Sequence, residues 1–255
     1  MTILEVNNIA KRFGKLVAVK DISMAIPEGQ IRGLIGPNGS GKTTTFHLIS
    51  GFLKPTSGEV LFKGQPITGK TPNRIAKRGL VRTFQLTSVY RDMSVRQNVH
   101  MGHHIHANKK SVEISNNTKL PSISSIEDST SWILEHMNLS EEADTPARML
   151  PAGMQRVLSI ATALAVRPNL LMLDEPLAGL NPTEKSNVAQ KISGLRDYGI
   201  TILLVEHDVR SVLSICDKIT VINFGEKIAE GTADEITKHP AVIEAYLGKS
   251  EGHDA

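Results

Sequence analysis

The chain has 255 residues, 40% apolar and 22% charged, which is enough to bury a large core in one domain or two closely packed subdomains and excludes a disordered chain. Its net charge of +3, with signs intermixed, neither calls for nor excludes nucleic acid. One cysteine, Cys216, excludes an internal disulfide, and no apolar run approaches the ~18 residues of a membrane span.

The opening Met1-Thr2-Ile3-Leu4-Glu5 lacks the basic and apolar regions of a secretory signal, so a cytosolic chain is expected, with Cys216 a small buried apolar residue in a reducing compartment. Up to residue 35, short apolar runs broken by Gly14, Pro27 and Gly29 predict a small strand-rich layer. Ile31-Arg32-Gly33-Leu34-Ile35 reads as a buried strand and residues 44–50 as a helix. Between them, Gly36-Pro37-Asn38-Gly39-Ser40-Gly41-Lys42-Thr43 follows the pattern Gly, four residues, Gly-Lys-Thr in the strand-loop-helix context that pattern requires.

That loop points to a nucleoside triphosphate. Gly36, Gly39 and Gly41 allow backbone N–H groups to converge on phosphate oxygens, and the following helix adds its positive end. Lys42 supplies a mobile cation for the β and γ phosphates, and the Thr43 hydroxyl suits Mg2+.

Further along, 59–63 is expected to be a strand after the turn Lys54-Pro55-Thr56-Ser57-Gly58. From about Val89 apolar residues recur at helical spacing, as in Trp132-Ile133-Leu134-Glu135-His136-Met137, and predict a helical subdomain. Within it, residues 107–131 are rich in serine and asparagine and are expected to form a mobile surface excursion without chemistry. A helix after Gly153, a strand at 170–173, a helix at about 183–197 and a strand at 201–205 follow. This alternation indicates a parallel sheet with its sites at the carboxyl ends of the strands.

Two of those ends carry polar side chains. Leu170-Leu171-Met172-Leu173 runs into Asp174 and Glu175, which are suited to hold Mg2+ and to deprotonate the attacking water, although either carboxylate alone could cap a helix. Thr201-Ile202-Leu203-Leu204-Val205 runs into Glu206-His207-Asp208, where His207 is placed to reach a γ phosphate or to serve as a structural histidine. His100, His103, His104 and His106 suggest a polar, partner-facing helix rather than a metal site, since no cysteine or carboxylate lies among them. Arg91-Asp92-Met93-Ser94-Val95 is either a surface loop or the border of a groove for a membrane subunit.

With the 36–43 loop, Gln85 in Val81-Arg82-Thr83-Phe84-Gln85, Leu150-Pro151-Ala152-Gly153-Met154-Gln155-Arg156, Leu173-Asp174-Glu175-Pro176 and Glu206-His207-Asp208 in this order, the chain resembles an ABC transporter ATP-binding subunit over nearly its whole length. The resemblance implies an α/β fold, a P-loop NTPase cassette with a parallel core sheet, an N-terminal antiparallel β subdomain and a helical subdomain. In residue terms it implies core parts at 1–88 and 156–255, with the helical subdomain and signature segment at 89–155.

The resemblance also implies an ATPase using ATP and Mg2+. Catalytic roles fall to Glu175, His207 and Gln85, and Mg2+ contacts to Thr43, Gln85 and Asp174. Nucleotide contacts fall to residues 36–43, Thr44, Phe13, Gly153 and Gln155. Phe13 matches the aromatic that stacks on adenine, although by itself it suits a core equally well. Gly153 and Gln155 belong to the signature that completes the site of a second cassette, identical or different. The segment Ala178-Gly179-Leu180-Asn181 resembles the loop that touches that partner.

The expected partners are membrane permease subunits and, indirectly, a solute-binding protein, with no nucleic acid. The expected place is the cytoplasmic face of the membrane. Pro151 and Ala152 stand where the commonest signature has Ser and Gly. Loss of the serine contact to phosphate is expected to weaken closure by roughly 1.5–3 kcal/mol, with the N–H groups near Gly153 still available at a helix start. A Leu-Pro-x-Gly signature, with Arg82-Thr83-Phe84-Gln85, Asn223-Phe224-Gly225-Glu226-Lys227-Ile228-Ala229-Glu230-Gly231 and the ending Val242-Ile243-Glu244-Ala245-Tyr246-Leu247-Gly248, is similar to ATPases of branched-chain amino acid importers. Importers of urea or short amides, a soluble ABC-type ATPase and a binding module without turnover are the alternatives.

Overall fold

The computed structural model describes residues 1–83, 89–106, 120 and 125–247. In chain order the elements are β1 (Thr2–Phe13), β2 (Leu16–Pro27), β3 (Ile31–Ile35), α1 (Lys42–Ile49), β4 (Ser57–Phe62), β5 (Gln65–Pro66), α2 (Pro72–Ala76), β6 (Leu80–Arg82), α3 (Val95–Gly102), α4 (Ile126–His136), α5 (Ala152–Ala165), β7 (Leu170–Asp174), α6 (Pro182–Gly194), β8 (Thr201–Val205), α7 (Val209–Ile215), β9 (Lys218–Asn223), β10 (Glu226–Gly231), α8 (Ala233–Lys238) and α9 (Pro240–Leu247). They fall into two compact units, Met1–Ile75 with Ile202–Ala255, and Ala76–Thr201.

In the first unit, β1 pairs antiparallel with both β2 and β4. The strand-rich layer expected up to residue 35 is therefore built largely from two strands of 12 residues each. Their apolar alternation is interrupted because the register shifts several times along the pair. Asn8 and Asp21 sit at positive φ in those irregular stretches, and Asn8 Nδ2 donates to Asp21 Oδ1 at 2.7 Å. Leu4, Ile9, Ile22 and Ile26 turn inward and are fully buried, each worth about 1.5–3 kcal/mol.

The same unit carries a second layer in which β3 lies parallel to both β8 and β9, and β10 closes the edge antiparallel. Every residue of β3 and β8 is buried, which is why both read as continuous apolar runs. Arg32 is the exception in β3 and is tolerated because its donors are occupied. Nε and Nη2 reach Gln30 Oε1, Nη1 reaches Thr220 Oγ1 at 3.1 Å, Nη2 reaches the Ala25 carbonyl at 2.9 Å, and Glu230 pairs with Nη1 at 2.9 Å. A Cβ at Gly33 would stand 2.6 Å from Val212 Cγ1 and 3.1 Å from Cys216 Sγ, so its absence lets α7 lie against β3. Burial, aided by Asp217 and opposed by Arg32, pushes the Cys216 thiol up to about 12.

In the second unit β6 and β7 pair in parallel and α3, α4 and α5 pack together. A Cβ at Gly102 would lie 2.3 Å from the Thr162 carbonyl, which fixes how closely α3 approaches α5. The polar excursion expected at 107–131 ends earlier than its composition suggests. Residues 107–119 and 121–124 lie outside the described residues, but α4 begins at Ile126, with the Ser125 side chain accepting from Asp128 N and two acidic residues in the first turn.

Candidate nucleotide site

The loop after β3 is shaped by two close approaches. At Gly36 a Cβ would fall 2.0 Å from the Ile222 carbonyl, and at Gly41, with φ +103°, 2.6 Å from the Ala18 carbonyl. The loop is thus wedged between β9 and β2 where no side chain fits. Gly41 is also the N-cap of α1 and offers no side-chain cap to the helix's first N–H groups. Lys42 is 7% exposed, and its Nζ donates to the carbonyls of Gly36 at 2.7 Å and Pro37 at 3.0 Å. Ser40 Oγ is buried and has no hydrogen-bond partner among the described residues. An uncapped helix start, an ammonium folded over the loop and a buried orphan hydroxyl fit an anion with several acceptor oxygens. Thr43 is exposed on the first turn of α1.

Beside this loop opens a cavity of about 520 Å3, lined by Phe13, residues 16–18 and 39–44, Phe224 and Gly225. Its floor is phosphate loop and its walls are apolar, a division that matches a nucleotide's charged and flat ends. Phe13, half exposed, stands at its edge with Lys11 Nζ 5.2 Å from the ring centroid.

His207 follows β8, whose register with β3 runs from Ile31 opposite Ile202 to Leu34 opposite Val205. The carboxyl ends of both strands therefore share an edge, and His207 is exposed there. Its neighbours are structural: Glu206 is fully buried, and Asp208 caps α7 by accepting from Ser211 N and Oγ.

In the second unit Asp174 ends β7 and receives Arg82 Nη2 on Oδ2 at 2.7 Å, with both side chains buried. Burial pushes the Arg82 guanidinium down from its ordinary value and the Asp174 carboxylate opposes it. In the sequence Arg82 stands out only as part of a motif, because its pairing with Asp174 joins the ends of two strands far apart along the chain. Glu175 follows at φ +48°, a strained setting for a non-glycine residue. The Asp174 carboxylate at the end of β7 is a hard oxygen donor of the kind that Mg2+ takes. Gln85 lies outside the described residues.

The signature segment opens α5, with Pro151 as N-cap and no side-chain cap. Contrary to expectation, the Gly153 N–H is engaged: it donates to Glu184 Oε1 at 3.3 Å. Glu184 is the N3 residue of a capping box with Asn181 at the start of α6, and nothing local in the sequence pairs it with Gly153. The Gln155 side chain turns back to the Leu150 carbonyl at 2.9 Å. Ser94 makes a capping box with Gln97 on α3, and Asp92 pairs with Arg148, so the 91–95 stretch is a built helix entry. Of the histidines expected on a polar face, His104 is exposed and His100 partly so, whereas His103 is 2% exposed with its ring 6.4 Å from that of His100.

The profile of the ABC transporter family matches residues 19–178, and that of the branched-chain amino acid ATP-binding cassette transporter matches 226–252. The chain belongs to the ABC transporter family. It is 41% identical to the high-affinity branched-chain amino acid transport ATP-binding protein BraF of Pseudomonas aeruginosa and equally to LivG of Escherichia coli K12, covering 97% of this chain and 98% of each relative. Among solved structures it is similar to the ADP conformation of an ATP-binding cassette of an ABC transporter, with 32% identity, a TM-score of 0.85, and coverage of 98% of this chain and 100% of that one. This cassette is an ATPase of that family. Among the described residues no helix is long and apolar enough to cross a membrane.

Proposed function

We propose that this cassette hydrolyses ATP at the cytoplasmic face of the membrane to energise import of branched-chain amino acids, working with separate permease subunits, a second cassette and, indirectly, a solute-binding protein. The observation that carries the reading is the phosphate loop, where a buried Lys42 lies on loop carbonyls beside the orphan Ser40 hydroxyl at the uncapped start of α1. The transported class rests on what the 41% identical relatives are named for.

In this reading Lys42 leaves the Gly36 and Pro37 carbonyls for the β and γ phosphates, while N–H groups of residues 39–44 surround them. Thr43 and Asp174, with Gln85, would hold Mg2+, which when bound screens charge on the β and γ phosphates. Glu175 accepts a proton from the attacking water and His207 contacts the γ phosphate. Gly153 and Gln155 complete the site of the facing cassette once Glu184 yields the Gly153 N–H. Binding that favours the closed pair shifts the permease, and hydrolysis reverses the shift.

The test is reconstitution in liposomes with the permease subunits, the second cassette and the solute-binding protein. ATP-dependent leucine uptake, lost in Lys42→Ala, is expected. ATP turnover stimulated by urea or a short amide but not by leucine would overturn the solute class, and absence of any permease association would overturn the importer.

A further inference from the structure

The turn between β9 and β10 consists of two residues, Phe224 and Gly225, flanked by the paired Asn223 and Glu226. Both sit at positive φ, +46° and +80°. A two-residue hairpin of this shape favours Asn-Gly, because the first position must adopt a left-handed conformation that bulky side chains resist. A phenylalanine there is strained, and it is also 81% exposed, so it recovers nothing from the core. Stability of the fold does not account for this residue.

Its surroundings do. The turn is tied down on two sides: Gly225 N donates to the Ser40 carbonyl at 2.9 Å, and Lys20 N donates to the Gly225 carbonyl at 2.7 Å. A Cβ on Gly225 would stand 2.9 Å from the Ala18 carbonyl, so the turn rests directly on β2. Phe224 is thereby carried on a backbone anchored to the phosphate loop itself, and it lines the cavity that the loop floors. Phe13, 46% exposed, and Leu16, 66% exposed, line the same cavity. Three exposed apolar side chains on one cavity beside a phosphate loop call for a flat apolar group attached to phosphate.

We infer that Phe224 is a base-contacting residue, a wall of the purine subsite additional to Phe13, and that its strained turn is retained to hold an aromatic face against the nucleotide. The inference rests on the nucleotide reading above and goes beyond it by assigning a residue. The strain enters as a trade: the turn gives up stability and the base gains a contact.

Phe224→Asn tests both sides of the trade, because asparagine suits the turn and has no ring to offer. Nucleotide affinity is measured on the full chain by calorimetry with ATP and, separately, with inorganic tripolyphosphate, which has the phosphates but no base. Expected is a dissociation constant for ATP raised about five- to tenfold, unchanged affinity for tripolyphosphate, and a thermal midpoint equal to or above that of the unsubstituted chain. Phe224→Leu, which keeps an apolar side chain without the ring, should fall between. Equal loss for ATP and tripolyphosphate would make Phe224 a prop of the loop and overturn the inference, as would unchanged ATP affinity, which would leave the ring to a protein partner. If the unsubstituted chain binds neither ligand, the nucleotide reading itself fails, a result distinct from either of these.

Discussion

Among the described residues, Arg32 and Arg82 are two buried guanidinium groups paired with carboxylates, one in each unit, and they are built differently. Arg32 is 1% exposed and sits inside a closed network, bonded to Gln30, Thr220, the Ala25 carbonyl and Glu230. Glu230 in turn receives Lys218 at 2.8 Å and Lys227 at 3.0 Å. Arg82 and Asp174 stand instead at the carboxyl end of a parallel strand pair, one residue before a glutamate in a strained conformation. The first arrangement spans β2, β3, β9 and β10 and does what a network of charges can do for a fold, which is to fix strands in place. The second ends beside Glu175, the residue proposed as base, and holds the carboxylate proposed for Mg2+. On that proposal, position at a strand end rather than burial separates the two pairs.

Four substitutions press on that contrast. The largest effect is expected for Glu175→Gln, which should lower phosphate release by roughly 10²- to 10⁴-fold while ATP binding and the thermal midpoint stay near those of the unsubstituted chain. A turnover within threefold of normal would remove Glu175 from the chemistry.

Next come Arg32→Met and Arg82→Met. Arg82→Met leaves the buried Asp174 carboxylate without its cation and should cost about 3–5 kcal/mol in urea unfolding, whereas Arg32→Met should cost less, because Lys218 and Lys227 still pair with the partly exposed Glu230. They should part company in function. Arg32→Met, measured well below its midpoint, should keep the ATP dissociation constant, whereas Arg82→Met should also change the Mg2+ concentration needed for half-maximal turnover. Identical Mg2+ dependence in both variants would erase the distinction drawn here.

The smallest effect is a pH slope. Three cations bonded to Glu230 outweigh its burial and hold its carboxyl down at about 2, below the ordinary 4.5. A depressed carboxyl contributes stability that is complete above its unfolded value and is lost as pH falls from 4.5 towards 2. Glu230→Gln should be less stable than the unsubstituted chain at pH 7 and show a flatter decline across that window. Parallel curves would mean that the three contacts do not form in solution.

Much of this is legible in the sequence. β8 and β3 read at their observed bounds because strands buried on both faces appear as apolar runs, broken in β3 only by Arg32. The phosphate loop was legible because its chemistry is local: spacing alone places its glycines and Lys42. The start of α4 was missed because Ser129 and Thr130 are buried polar residues, so the apolar period is silent while the Ser125 cap and acidic first turn carry the signal. The Gly153–Glu184 contact and the Arg32 network join residues far apart in sequence, and no periodicity reports such a pairing. Phe224 was read only as part of a motif, since the sequence does not say that its turn is pinned to Ser40.

Cys216 leaves a practical consequence. Cys216 is half-buried rather than buried as expected, and with its thiol pushed up to about 12 it should react with maleimides far more slowly at neutral pH than an exposed cysteine. As it is the sole cysteine, the chain is a low-background host for labelling. One cysteine introduced at an exposed position would carry a dye or spin probe without first stripping the native residue.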